Sequence, residues 1–276
     1  MKELLKIEWL KIKNYAAFIV LGLFFLLGIL GANYAVFYTK KNLIDKADPT
    51  GLIAGSSPYD FNHTWQTTSY VSGYLLLLPG LLLILLITNE FAFRTHRQNI
   101  IDGWRRQQFI DVKIAMAIIA AGIATLLTGI TALIFGFASG SSFAVTHIEA
   151  LAFFFLKALS YNMIAVLIAV LVRKTGFAIG LFFIYMGFEN ILSAILQGLS
   201  IKFKSENNFD IGNWGDYLPM NASDGLLHFP ENTITNMAKN SRVMPTDYMY
   251  VTLVLAIAYL LLFWWWSRNR FIKTDL

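Results

Sequence analysis

Apolar residues in this chain run in long unbroken stretches rather than in the short alternations of a soluble fold. Segments at about 16–38, 71–88, 114–138, 148–172, 176–199 and 249–266 each carry some twenty mostly apolar residues. That is the length an α-helix needs to cross a bilayer core of about 30 Å. In lipid a spanning segment must satisfy its own backbone, so the choice is helices or a closed barrel. Continuous apolar runs without strict alternation argue against the barrel. The pattern predicts an all-α, polytopic membrane protein with six transmembrane helices.

The first fifteen residues read differently. Leu4, Leu5, Ile7, Trp9, Leu10 and Ile12 are interleaved with Lys2, Lys6, Lys11 and Lys13. Two readings stand for this amphipathic stretch: a basic flank that sets topology, or an interfacial helix with lysines at anionic head groups. The chain therefore divides into 1–15 and a six-helix domain over 16–276, with external segments 39–70 and 200–248.

Composition sharpens this. Of 276 residues, 57% are hydrophobic and 14% charged, against about 45–50% and 25% for a soluble domain. A nucleic-acid binder with a solvated basic face is excluded. Cysteine is absent, which removes disulfides, thiolate metal sites and a cysteine nucleophile. The net charge of +5 is read through its distribution. Lys and Arg concentrate before the first run, between the second and third (Arg94, Arg97, Arg105, Arg106, Lys113), at Arg173-Lys174 and after the last run. The positive-inside rule then places both termini in the cytoplasm, in agreement with an even number of spans.

Within the spans, Lys157 and Glu189 fall at similar depth on neighbouring antiparallel helices. Pairing them relieves the cost of a lone charge near mid-bilayer. The pair either locks the hairpin or faces a transport path. Pro79-Gly80 is expected to kink the second span. Small residues at Ala117, Ala121, Gly129, Ala132 and Gly136 mark close helix contacts. No P-loop string occurs, so ATP hydrolysis on this chain is not expected. No H-E-x-x-H, nucleophile elbow or metal-ligand spacing appears either. The catalytic and metal residue sets are empty.

The stretch between the second and third spans carries the most specific signal. It runs from Asn89-Glu90 through Arg94-Thr95-His96-Arg97 and Asp102-Gly103-Trp104-Arg105-Arg106 to Lys113. A helix is expected up to Asp102-Gly103, where glycine permits a stop. A short, charged, aromatic-bearing helix suits docking into a groove on a soluble partner; a solvated basic loop is the plain alternative. This stretch resembles the cytoplasmic loop of type-2 ABC transporter permeases, with Glu90, Thr95, Arg106 and Lys113 in the matching places. Arg94 replaces the usual small residue, and Asp102-Gly103-Trp104 replaces a Pro-Ser-like turn. The six spans, the N-terminal helix and the large external segment before the last span extend the resemblance over nearly the whole chain.

The resemblance implies the permease subunit of an ATP-driven transporter, with export as the preferred direction. The loop would be a coupling helix seated on a separate nucleotide-binding ATPase subunit, which would hold the ATP and Mg. Its contact residues would be Glu90, Arg94, Thr95, His96, Arg97, Asn99, Asp102, Trp104, Arg105 and Arg106. The N-terminal helix would be the connecting helix. A second permease chain, identical or not, would pair around a path along spans two and five. Tyr70, Tyr74, Phe182, Tyr185, Met186, Glu189 and Asn190 would line that path, suiting amphiphilic cargo. The segment 200–248 would hold a re-entrant outer gate; from the residues alone, a packed loop is an equal reading. The implied location is a bacterial-type inner membrane, among lipids and without nucleic acid. A gradient-driven secondary transporter and a non-transporting sensor or immunity subunit remain as alternatives.

Overall fold

A computed structural model describes residues 2–39, 42, 59–101, 103–207, 210–230, 245–246 and 248–273. The described residues are all-α. Five of the helices are long and apolar enough to cross a membrane, and a bent pair gives up to a sixth crossing.

Helix α1 (Lys2–Ile12) ends in a short turn, and α2 (Ala16–Thr39) follows. The bent pair is α3 (Phe61–Gly73) and α4 (Leu77–Ala92), with 44° between them. The short α5 (Thr95–Ile101) precedes α6 (Arg106–Ala138). Then come α7 (Glu149–Val172) and α8 (Thr175–Asn207). A 3-10 turn at Trp214–Tyr217, the short α9 (Asn221–Asp224) and α10 (Met249–Lys273) complete the order.

Helix α7 is the axis of the bundle: 72% of its most apolar stretch is buried. It packs against α3, α4, α6, α8 and α10. The small residues of α6 make room for neighbours. Ala117, Ala121 and Ala132 are fully buried, and at Gly136 a side chain would collide with the Phe61 ring of α3. The amide of Asn162 on α7 donates to the Ala117 carbonyl at 3.0 Å.

Helical structure in this region begins earlier than the hydropathy pattern places the second apolar run. Residues 61–70, expected to be external, are helical and pack into the bundle, and His63 lies in the first turn of α3. Thr64, Thr67, Thr68, Ser69 and Ser72 lower the apolar signal, yet all are buried. A hydroxyl is tolerated inside a helical bundle when it donates back to a carbonyl, as Thr64 does to Asp60 at 2.8 Å. Polar pairs tie this helix to α2: Asn33 donates to Ser72 at 3.2 Å and accepts from the Tyr59 hydroxyl at 2.9 Å. The bend falls at 74–76, one turn before Pro79. Proline clashes with the carbonyl four residues back, here that of Leu75. Helix α8 likewise runs beyond the expected 199 to Asn207.

Candidate functional site

A ring of four charges ties together the end of the bundle that carries α1 and α5. Lys113 on α6 donates to Glu8 of α1 at 2.6 Å and to Glu90 of α4 at 2.7 Å. Lys11 of α1 closes the ring, at 3.0 Å from Glu8 and 3.2 Å from Glu90. The Lys113 side chain is 0% exposed, that of Glu8 3% and that of Glu90 10%. Two lysines balance two carboxylates, so the ring is neutral as a unit. A buried charge is tolerated only when paired and hydrogen-bonded. Each member here therefore depends on the other three.

The sequence places these groups by simple periodicity. Glu8 falls on the same face of α1 as Leu4, Leu5 and Ile12. That face packs inward, while Ile7, Trp9 and Leu10 stay exposed. Glu90 is in the last turn of α4 and Lys113 in the third turn of α6. Burial pushes the Glu8 carboxyl up, but Lys113 and Lys11 more than offset it and hold it below its ordinary value. Burial pushes the Lys11 ammonium down, and Glu90 and Glu8 reverse this and leave it raised.

Those directions fix a pH window. A depressed carboxylate contributes stability above its unfolded pKa of about 4.5, lost as pH falls through the folded value. A raised lysine contributes below about 10.5, lost as pH rises through its folded value. Hydrogen-exchange protection of α1 is therefore expected to be flat from about pH 5 to 9 and to fall on acidification below about 4.

Glu90 also holds α5. Its backbone carbonyl accepts from His96 Nδ1 at 3.0 Å and from the Thr95 hydroxyl at 3.4 Å. Arg94, with φ 57°, makes the sharp turn between α4 and α5. Gly103, with φ 102°, turns the chain out again, a conformation that favours glycine. Trp104 packs under the ammonium of Lys11 at 5.7 Å. The far end of α10 joins the same assembly: Arg268 pairs with Asp111 at 3.0 Å, Arg106 donates to the Ile272 carbonyl at 3.3 Å, and Phe271 stacks on Phe109 at 4.8 Å. Tyr15 accepts from Asn89 at 2.7 Å.

The residues expected to touch a partner therefore separate. Arg94, Thr95, Arg97 and Arg105 are exposed, and Asn99, Trp104 and Arg106 are half-buried. Glu90 and His96 are buried and face inward, so they hold α5 in place instead of presenting it. Asp102 lies outside the described residues. Two large apolar side chains flank α5 in full view: Phe93 at 76% and Ile101 at 78% exposure. Neither is singled out by the sequence, nor is Glu8, and Lys11 reads there as a head-group lysine; an acid on the apolar face of α1 is the available signal.

The other end of the bundle holds a second polar cluster. Lys157 and Glu189 do not pair with each other. Lys157 takes Asp224 at 3.3 Å, and Asp224 also accepts from the Tyr161 hydroxyl at 3.0 Å. Glu189 accepts from the backbone N–H groups of Met220 and Asn221. The reason is the segment 213–229, which folds back against α7, α8 and α10 and brings its own acid and free amides to both charges. Its Met220, Ala222, Leu226 and Leu227 are buried. At 1.5 Å per residue, Asp224 reaches a level roughly 12–18 Å along α7 from Glu149. Lys157 passes close to Gly73, where a side chain would come within 3.0 Å of its ammonium.

The expected path residues separate too. Tyr74 and Asn190 are exposed, and Tyr70, Tyr185 and Met186 are half-buried. The Tyr74 hydroxyl donates to that of Tyr70 at 2.7 Å. Phe182 and Glu189 are buried. Phe182 turns inward because Gly80 leaves room for its ring, so it lines no open surface of this chain.

No protein-family model matches this chain, and no curated protein was found to be similar to it.

Proposed function

We propose that this chain is the membrane subunit of an ATP-driven exporter of the type-2 ABC permease kind. It acts with a separate nucleotide-binding ATPase that holds ATP and Mg. The observation that carries the reading is the charge ring: it joins α1, the end of α4 and the start of α6 into one mechanical unit, and α5 hangs on the Glu90 carbonyl. In this reading α1 is the interfacial connecting helix and α5 the coupling helix. The α3–α4 pair is one bent span, giving six spans with both termini in the cytoplasm. Phe93, Arg97 and Ile101 form the knob that enters a groove on the ATPase, a mode in which a few exposed anchors carry most of the energy.

Motion of α5 reaches the bundle through Glu90. A push on the knob is passed to α4 and α6 because their charges cannot separate without leaving one another unpaired in a buried site. The 213–229 segment, held by Asp224 and Glu189, is the outer gate. The membrane is an inner membrane of bacterial type, and the cargo is amphiphilic.

A second permease chain completes the path. Helix α8 leaves Gly187, Ala194 and Gly198 on one exposed stripe, with open space around both glycines. Small residues on an open face allow close helix approach.

The test is coupling. Arg97→Glu and Ile101→Asp are expected to lower cargo-stimulated ATPase activity and transport by about tenfold or more each, the size of an interface anchor. The helical content and thermal stability of the membrane domain should stay unchanged. Full transport by both variants would remove α5 from the coupling path.

A further inference from the structure

The α1 end of α8 presents a feature that neither cluster uses. A groove of about 630 Å³ runs along the helix, lined by Val172, Lys174, Gly176, Phe177, Gly180, Leu181 and Ile184. It is an open face of one helix and its turn, lined almost wholly by apolar side chains. Gly176 and Gly180 form its floor, and a side chain added at either would meet nothing. Phe177 and Ile184 stand exposed as its walls. A glycine in a helix costs about 1 kcal/mol relative to alanine, so two on an open face call for something that lies against them.

The charge at the mouth names the occupant. Arg173 and Lys174 make the tight turn between α7 and α8; Lys174 lines the groove, and Arg173 precedes it in the turn. Their neighbours are aromatic or basic: Arg173 lies over the Phe91 ring at 5.2 Å and beside Arg270, and Lys174 over Phe177 at 6.0 Å. Among the described residues neither pairs with a carboxylate. The like charge of Arg270, after burial, pushes the guanidinium of Arg173 below its ordinary value, so an anion is favoured there. A second copy of α8 does not supply one. Laid parallel, it would bring a second Arg173-Lys174 turn against the first, and like charges repel. Two copies therefore meet along Gly187–Gly198 and splay apart at this end.

We propose that the groove binds one anionic phospholipid. Its acyl chain lies over Gly176 and Gly180 against Ile184, and its phosphate rests on Arg173 and Lys174. Basic residues at the end of a span attract anionic head groups. The glycine floor adds contact that a flat helix face would not give.

The test uses the full chain in nanodiscs holding equal phosphatidylglycerol and phosphatidylcholine, with retained lipid counted by native mass spectrometry. The unaltered chain is expected to retain phosphatidylglycerol in preference. Arg173→Gln with Lys174→Gln should weaken that preference by roughly thirtyfold, the effect of two cations near an anionic surface. Gly180→Leu keeps both charges but fills the floor, and should lose the lipid as well. Both sites are at the surface, and size-exclusion elution with an unchanged melting temperature verifies the fold. Equal retention of the two lipids, or no change on removing both charges, would overturn the proposal. A Gly180→Leu chain that keeps its lipid but changes oligomeric state would identify the groove as a subunit interface, and would overturn it too. The outcome is independent of any ATPase partner.

Discussion

Lys113→Ala is expected to be the most damaging single substitution in the molecule. It strips two buried carboxylates of their shared partner, and breaking a buried ion pair from one side costs about 3–5 kcal/mol. Lys11, a third exposed, is left to balance both Glu8 and Glu90. Thermal unfolding in detergent should shift markedly downward, and hydrogen exchange should rise first in α1 and α5. The loss comes from orphaned charge, so removing the charge should repair it. Lys113→Met combined with Lys11→Gln, Glu8→Gln and Glu90→Gln is expected to recover most of the stability, since an apolar or neutral replacement of a whole buried network is often tolerated. A single Lys113→Ala chain as stable as the parent would mean the ring does not bear on folding. In the combined variant, restored stability without restored coupling would separate the structural part of the ring from its role in transmission.

Glu189→Ala carries the second large effect. The carboxylate accepts from two backbone donors and from the Asn221 side-chain amide at 3.3 Å. Its removal leaves the buried Met220 N–H without an acceptor, at about 1–3 kcal/mol, and frees the half-buried Asn221 N–H as well. The damage should be local: faster hydrogen exchange across 214–227, with α6 and α7 still protected. Glu189→Gln keeps an acceptor oxygen and is expected to lose much less. Asp224→Asn should release the same segment from its other side and leave the Lys157 charge unpaired. If exchange in 214–227 is the same in Glu189→Ala and the parent, the carboxylate is not what holds the segment.

Much of the scaffold was legible in the sequence because membrane helices announce themselves by length. Ala16–Thr39, Glu149–Val172 and Met249–Lys273 begin within a residue or so of where the apolar runs begin. The errors fall where polarity and position disagree. The hydroxyls of Thr64, Thr68 and Ser69 read as an exterior loop, but Thr64 is buried by donating to the Asp60 carbonyl, while Thr68 and Ser69 are buried in the bundle without a hydrogen-bond partner among the described residues. Lys157 and Glu189 read as a pair because depth along two helices was all the pattern gave. The third partner, Asp224, stands in a distant turn-rich segment, and no periodicity links it to α7. Glu90 and His96 come to the ATPase contact from the resemblance alone, and nothing beside them in the sequence marks them as turned inward. The Glu90 carboxylate turns inward to Lys113 and Lys11, the latter 79 residues away in sequence, and His96 turns inward onto the Glu90 carbonyl.

The central claim is that α5 and the charge ring couple this chain to an ATPase. The direct measurement is purification of the tagged chain in mild detergent, scored for a co-purifying nucleotide-binding subunit and for ATP hydrolysis. The account predicts a stable ATPase partner that is retained by the unaltered chain and lost with Arg97→Glu and Ile101→Asp together. A chain that purifies alone from its native membrane, with no ATP hydrolysis, would contradict it.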